Sequence, residues 1–233
     1  MRRHLPVIAA TAALGSAVAL PVIAQADHKP GHPKPGPGPQ ARTDLTIAAR
    51  PNPTVFRGAT VISGRLRGSD NGGKTVVLRQ DEYPFGNGFS DVATTTTNAQ
   101  GDYSFTRRPA RNTFYQASAD RGAAYDVAVN QVLVKVRIRM SLRVSDATPR
   151  VGQLVRFRGR ACPAHDGLAV RIQRKTRTGT FRTVRRTRLR AATRCSVYGR
   201  RFRVYRDGTY RVTSDDADHA RGFSRPRFLN TPR

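Results

Sequence analysis

Apolar and charged residues alternate one by one along much of the C-terminal half of this chain. Val155-Arg156-Phe157-Arg158, Val170-Arg171-Ile172-Gln173, Phe202-Arg203-Val204 and Tyr210-Arg211-Val212-Thr213 all read this way. A period of two is what a strand with one dry and one wet face produces. The N-terminal half carries the same signal in Leu45-Thr46-Ile47 and Tyr103-Ser104-Phe105, and the run Thr94 to Thr97 adds residues that suit a pleated surface. Turn chemistry punctuates the pattern at Pro51-Asn52-Pro53, Asp70-Asn71-Gly72-Gly73, Gly86-Asn87-Gly88, Asn98-Ala99-Gln100-Gly101, Asp166-Gly167 and Asp207-Gly208. Many short strands between such turns, with no helical segment, predict an all-β protein built as a sandwich or barrel.

The plan occurs twice. Gly73 leads into Thr75-Val76-Val77-Leu78, then Phe89-x-x-Val92, Tyr103 and Tyr115. Gly167 leads into Ala169-Val170-Arg171-Ile172, then Phe181-x-x-Val184, Tyr198 and Tyr210. Self-similarity at a fixed period implies repeated structural units. The expected organisation is a signal peptide over residues 1–26, a Pro/Gly-rich linker over 27–43, and two domains over 44–137 and 138–231. A unit of this length suits a seven-stranded sandwich. Tyr115 and Tyr210 fall where sandwiches often bury a ring with a bonded hydroxyl, and core packing is their expected role.

Several of these segments resemble known folds. Thr97-Asn98-Ala99-Gln100-Gly101-Asp102-Tyr103-Ser104-Phe105, with Tyr115 beyond it, resembles the turn-and-strand signature of transthyretin-like and carboxypeptidase-regulatory-like bacterial domains. Gly152-Gln153-Leu154-Val155-Arg156-Phe157-Arg158-Gly159 resembles the early strand of bacterial immunoglobulin-like (Ig-like) repeats, although Gly58 to Gly64 spans one residue fewer in the first unit. Together the units resemble tandem Ig-like domains of secreted actinobacterial proteins. That resemblance implies two antiparallel β-sandwiches with roles such as spacing, adhesion and ligand display. It implies no catalytic residues.

The first residues read as an export signal. Arg2 and Arg3 precede an uncharged apolar run from Leu5 to Ala24, and Ala24-Gln25-Ala26 is a small-x-small cleavage site. A retained membrane anchor is the alternative, but Pro6, Gly15 and Pro21 interrupt the run, so removal is expected and no other span is foreseen. The segment from His28 to Pro39 alternates proline with glycine, lysine and histidine; prolines lack a donor and fix φ, so it reads as an extended tether. A secreted or cell-envelope location follows.

Cys162 and Cys195 are the only cysteines, and an even count in an exported chain makes a disulfide the expectation. It would pin one connection to another across the second sandwich. Buried thiols and a zinc set with His165 are the alternatives, but the cysteine spacing matches no compact zinc module.

Charge separates the halves. The chain carries +27, with 25 basic and 6 acidic residues after position 137 against 13 and 8 between 42 and 137. The alternation that buries Val155, Phe157, Val170, Ile172, Phe202, Val204, Tyr210 and Val212 turns Arg156, Arg158, Arg160, Arg171, Arg203 and Arg211 to solvent. Guanidinium groups pair bidentately with phosphate and carboxylate, so these six are candidate binders of anionic envelope polymers or extracellular polysaccharide. Solubilising outward residues that protect the sheet are the bland reading, and drift toward arginine in a GC-rich genome is another. Few aromatics lie between the arginines, so sequence-specific nucleic-acid readout is not expected.

Catalytic chemistry is sparse. The sequence lacks a Gly-x-Ser-x-Gly elbow, a His-Glu-x-x-His pair and a phosphate loop, and no enzyme, cofactor or metal is expected. Asp81 and Glu82, adjacent on a strand, point to opposite faces. Asp216 and Asp218 are spaced to share a face and hold Ca²⁺; the simpler reading is a loop that offsets Arg211 and Arg221. The favoured function is a non-catalytic spacer or adhesion module held electrostatically on anionic polymers. The alternative is a specific binding module using the Gly86-Asn87-Gly88 and Asp215–His219 loops.

Overall fold

A computed structural model describes residues 44–120 and 127–232; the expected signal and linker lie outside the described residues. Strands and turns make up the described part, which contains no helix. The first half holds β1 (Ala48–Arg50), β2 (Thr54–Val55), β3 (Thr60–Arg65), β4 (Thr75–Glu82), β5 (Ser90–Thr96), β6 (Asp102–Arg107), β7 (Thr113–Asp120), β8 (Val127–Val134) and β9 (Val136–Arg137). The second holds β10 (Arg139–Met140), β11 (Arg143–Val144), β12 (Gln153–Cys162), β13 (Ala169–Lys175), β14 (Phe181–Arg188), β15 (Ser196–Val204), β16 (Gly208–Ser214), β17 (Gly222–Phe223) and β18 (Arg227–Leu229).

Each half builds two antiparallel sheets, and the first adds a short parallel pair, β2 with β9. In the first, β1-β3-β6 faces β5-β4-β7-β8. In the second, β10 and β11 share one side of β12 and β15 takes the other, while β14-β13-β16 continues into β17 and β18. In immunoglobulin lettering both halves read A-B-E against C′-C-F-G. The chain is therefore all-β, two tandem Ig-like antiparallel sandwiches.

Alternation places the cores. Leu45, Ile62, Leu66, Val76, Leu78, Tyr103 and Tyr115 are buried in the first. Val155, Phe157, Val170, Ile172, Phe202, Val204, Tyr210 and Val212 are all buried in the second, as the period of two predicts. Phe157 and Phe202 stack there, their centroids 4.4 Å apart. Burying each such side chain contributes ~1.5–3 kcal/mol, which is the main force holding the sheets face to face.

The two halves share one device at a spacing of 95 residues. Tyr103 Oη donates to the Thr46 carbonyl at 2.6 Å, and Tyr198 Oη donates to the Ser141 carbonyl at 2.6 Å. Each tyrosine lies opposite a glycine, Gly64 and Gly159, in the strand register. A methyl group on Gly64 would sit 1.7 Å from the Thr46 oxygen, and one on Gly159 2.0 Å from the Ser141 oxygen, so only glycine fits beneath the bond. These equivalent pairs put β3 and β12 in matching register, and the one-residue difference at Gly58 and Gly152 falls in the turns before the strands. Tyr115 and Tyr210 are core rings, as expected.

The disulfide between Cys162 and Cys195 is present, with a Cα separation of 4.7 Å. It does not cross the sandwich. Ala161 pairs with Ser196 in the β12–β15 register, so the cysteines are the next opposed pair and staple neighbouring strands of one sheet. The expectation failed because Cys162 ends β12 itself instead of lying in a connection beyond it.

The sandwiches meet through loops. Asn112 N–H donates to the Asp218 carbonyl, Ala220 N–H donates to the Val136 carbonyl, and an Arg139 guanidinium N–H donates to the Phe56 carbonyl. Gly222 is required there, since a Cβ would lie 2.0 Å from the Ile138 oxygen.

Candidate anion-binding face

The outward side of the β11-β12-β15 sheet is lined with guanidinium groups. Residues opposite each other in an antiparallel register share a face. Arg143 pairs with Arg158, Arg156 with Arg201, Arg158 with Gly199, and Arg160 with Val197. Arg190, in the segment before Cys195, bridges to Val197 and so joins the same face. Arg143, Arg156, Arg158, Arg160 and Arg190 line a groove of about 440 Å³ over Gly159 and Gly199. A Cβ built on Gly199 would lie 3.8 Å from Arg190 Nη2 and 4.0 Å from Arg156 Nε, which shows how closely the guanidinium groups overhang that floor.

None of these five arginines forms an ion pair among the described residues, and no carboxylate lines the groove. A second concavity shares Arg143 and Arg158 and runs on past Arg227 to Phe228, whose side chain is exposed. The two together make a basic track with an aromatic ring at one end.

The six arginines expected on one wet surface divide between the two outer faces of the sandwich. Arg156, Arg158 and Arg160 lie in the groove. Arg203 sits further along the same sheet, opposite Leu154, and donates to the Gly152 carbonyl at 2.9 Å. Arg171 and Arg211 belong to the β13-β16 sheet on the far side, because the chain changes sheets between β12 and β13. Both are engaged there. Arg171 and Arg221 clasp Asp215, at 2.5 and 2.9 Å. Partial burial pushes the Asp215 carboxyl upward, but hydrogen bonds and charge from Arg221 and Arg171 outweigh it and hold it below the usual carboxylate range.

Arg211 is half-buried between the Phe181 and Phe223 rings, at 3.9 and 4.3 Å, and its Nε donates to Gln173. Desolvation in that stack lowers its pKa. It braces the sheet as a cation–π clamp and is not a free cation on a wet surface.

Three members of the face escaped the pattern. Arg143 follows a short alternation, Met140-Ser141-Leu142-Arg143, that carries a readable signal. Arg201 hides in Arg200-Arg201-Phe202, where two consecutive arginines obscure which one points outward. Arg190 lies outside any periodic run and reaches the face only through tertiary structure.

The Asp215–His219 loop is divided as well. Asp215 offsets Arg171 and Arg221, whereas arginine 211 is not its partner. Asp218 and His219 are turned toward the first sandwich: His219 Nε2 lies 2.8 Å from the Ala110 carbonyl, and the His219 ring meets Phe56 edge-on at 6.2 Å. His165 joins them, its ring 4.9 Å from that of His219. Burial pushes the His165 imidazole toward its neutral form against the opposing pull of Asp218 and Asp216. The Gly86–Gly88 loop stays exposed, with Asp81, buried, accepting from the Gly86 N–H at 2.9 Å.

No protein-family model matches the chain, and no curated protein matches it. Among solved structures the chain is similar to the BSP domain of a biofilm associated protein, at 12% identity and TM-score 0.28 over 79% of this chain and 29% of that one. It is similar to the Ig1–Ig3 ectodomain of mouse nectin-like molecule 4, at 14% identity and TM-score 0.28 over 81% of this chain and 64% of that one. The ectodomain of the teleost fish polymeric Ig receptor gives 10% identity and TM-score 0.32 over 81% and 99%. The chain thus spans less than two thirds of the first two.

Proposed function

We propose that the protein is a non-catalytic, exported spacer or adhesion module that holds anionic extracellular polymers through the arginine face of its second sandwich. One observation carries this reading: five guanidinium groups share a groove without a carboxylate among them. Like charges this close cost energy in the absence of a counter-ion, and an anion relieves it. Arginine's planar fork suits phosphate and carboxylate alike, and a rigid sheet holds the forks in place without further loss of freedom. The continuation through Arg143 and Arg158 to Phe228 favours a polymer with repeated charges over a single small ion. A polysaccharide carrying carboxylate or phosphate fits such a track.

The test is retention of the full chain on immobilised polygalacturonate and on polyphosphate. Binding at low salt and release as ionic strength approaches ~0.5 M are expected, because screening shortens the reach of each charge to a few ångströms. Combined Arg143→Gln, Arg158→Gln and Arg160→Gln substitutions should lower affinity at least ten-fold. Undiminished binding by that variant would refute the assignment.

A further inference from the structure

We propose that His165, Asp218 and His219 form a Zn²⁺ site at the junction of the two sandwiches. One donor atom from each lies within 4.8 Å of the other two. The ring nitrogens are assigned by what surrounds them. His219 Nε2 lies 2.8 Å from the Ala110 carbonyl, which only accepts, so Nε2 carries a hydrogen, and in the neutral ring a metal requires Nδ1 presents the lone pair. His165 Nδ1 lies 3.2 Å from an Asp216 carboxylate oxygen, so its hydrogen is there and Nε2 presents the lone pair. Each imidazole is thereby oriented by a carbonyl or carboxylate behind it, the arrangement that second-sphere groups give to metal-binding histidines.

The lone-pair atoms are buried and unsatisfied. The His165 and His219 side chains are only 8% and 2% exposed. His165 Nε2, His219 Nδ1 and Asp218 Oδ1 all lack a hydrogen-bond partner. His219 Nδ1 and Asp218 Oδ1 even lie 2.8 Å apart without the alignment of a hydrogen bond. Two such atoms brought this close, with a third unpartnered acceptor nearby, form the grouping that a shared cation would hold together. An unsatisfied buried acceptor costs about 1–3 kcal/mol, and three around one point call for a common explanation.

Two imidazole nitrogens and one carboxylate oxygen are a zinc donor set, with a fourth position left for water. Donors at ~2.0–2.1 Å from a tetrahedral ion stand roughly 3.3 Å apart, so small side-chain rotations close the site. The ligands come from two loops of the second sandwich, and the first supplies the Ala110 carbonyl and the Phe56 ring behind His219. Zinc would fasten those loops where the sandwiches meet.

The test uses the full chain with His4→Ala, His28→Ala and His32→Ala, which leaves His165 and His219 as its only histidines. Co²⁺ is titrated and read by the visible absorption of a four-coordinate centre, and Zn²⁺ is then added to displace it. One saturable equivalent is expected. His165→Gln and Asp218→Asn should each weaken binding at least ten-fold, with circular dichroism confirming the fold. Asp216→Asn, at the half-exposed outer partner, is the milder variant and should weaken it about ten-fold. Absence of saturable binding, or affinity unchanged across all three variants, would overturn the site.

Discussion

The two sandwiches match position by position, and they differ most on one outer face. Where the second has Arg156, Arg158 and Arg201, the first has Val61, Ser63 and Thr106 in the same register. Arg143 corresponds to Ala48 on the neighbouring strand. Two arginines recur at matching positions, Arg108 with Arg203 and Arg65 with Arg160, and the second pair tells the rest. Arg65 in the first is bonded to Asp102 directly opposite, whereas its counterpart Arg160 lies opposite Val197 and has no acid. The Asp102 carboxyl is held low chiefly by its hydrogen bond to Arg65. Concavities occur at this place in both halves; Ser63, Ser104 and Asp102 line the first, and arginines line the second. One scaffold thus carries a neutral face and a cationic face. What sets them apart is the removal of counter-charge as much as the addition of arginine.

The glycine and tyrosine beneath each face should be equally indispensable. Gly64→Ala and Gly159→Ala each drive a methyl into a carbonyl oxygen and should each cost about 3 kcal/mol, read as loss of one unfolding transition in urea. A large cost in only one half would break the structural equivalence. Removing the disulfide with Cys162→Ala and Cys195→Ala should destabilise the second sandwich alone, also by about 3 kcal/mol, because the staple closes a loop that the first half lacks.

The tyrosines sharpen the comparison through pH. Burial raises the pKa of both Tyr103 and Tyr198 in the folded protein. Their contribution is complete below the unfolded value near ~10 and fades as pH rises above it toward the folded value. Alkaline titration should therefore destabilise both halves alike. Tyr103→Phe and Tyr198→Phe should each cost about 1–2 kcal/mol at neutral pH and flatten the alkaline slope of their own half. The smallest effect belongs to Asp215. Its folded pKa is depressed, so its contribution is present above the unfolded carboxylate pKa and lost as pH falls through the folded value. Asp215→Asn should remove about 0.5 kcal/mol, seen as a shallower acid limb, because partial solvation screens the pair.

Much of this was legible along the chain. Alternation located both cores, because a half-buried strand leaves a period of two whichever residues it uses. The disulfide followed from the even cysteine count, and the duplication from turn and aromatic spacing. What alternation cannot convey is which sheet a strand joins. Arg171 and Arg156 look alike in sequence, yet β12 and β13 lie in opposite sheets, so their outward residues point in opposite directions. Arg211 sits at an outward position but is drawn between Phe181 on β14, two strands away, and Phe223 on the neighbouring β17. The His165–Asp218–His219 cluster joins loops 53 residues apart in sequence and depends on the first sandwich behind it, so no local pattern announces it.

The most direct measurement transplants the neutral face onto the cationic one. Arg156→Val, Arg158→Ser and Arg201→Thr give the second sandwich the residues of the first at three matched positions, and polyphosphate affinity is followed against salt. The control, Arg177→Gln, Arg182→Gln and Arg186→Gln, removes the same charge from exposed positions outside the groove. The account predicts at least a ten-fold loss with a shallower salt dependence for the transplant, and less than a three-fold change for the control. Equal losses in the two variants would show that net charge alone governs binding, and would contradict a built anion face.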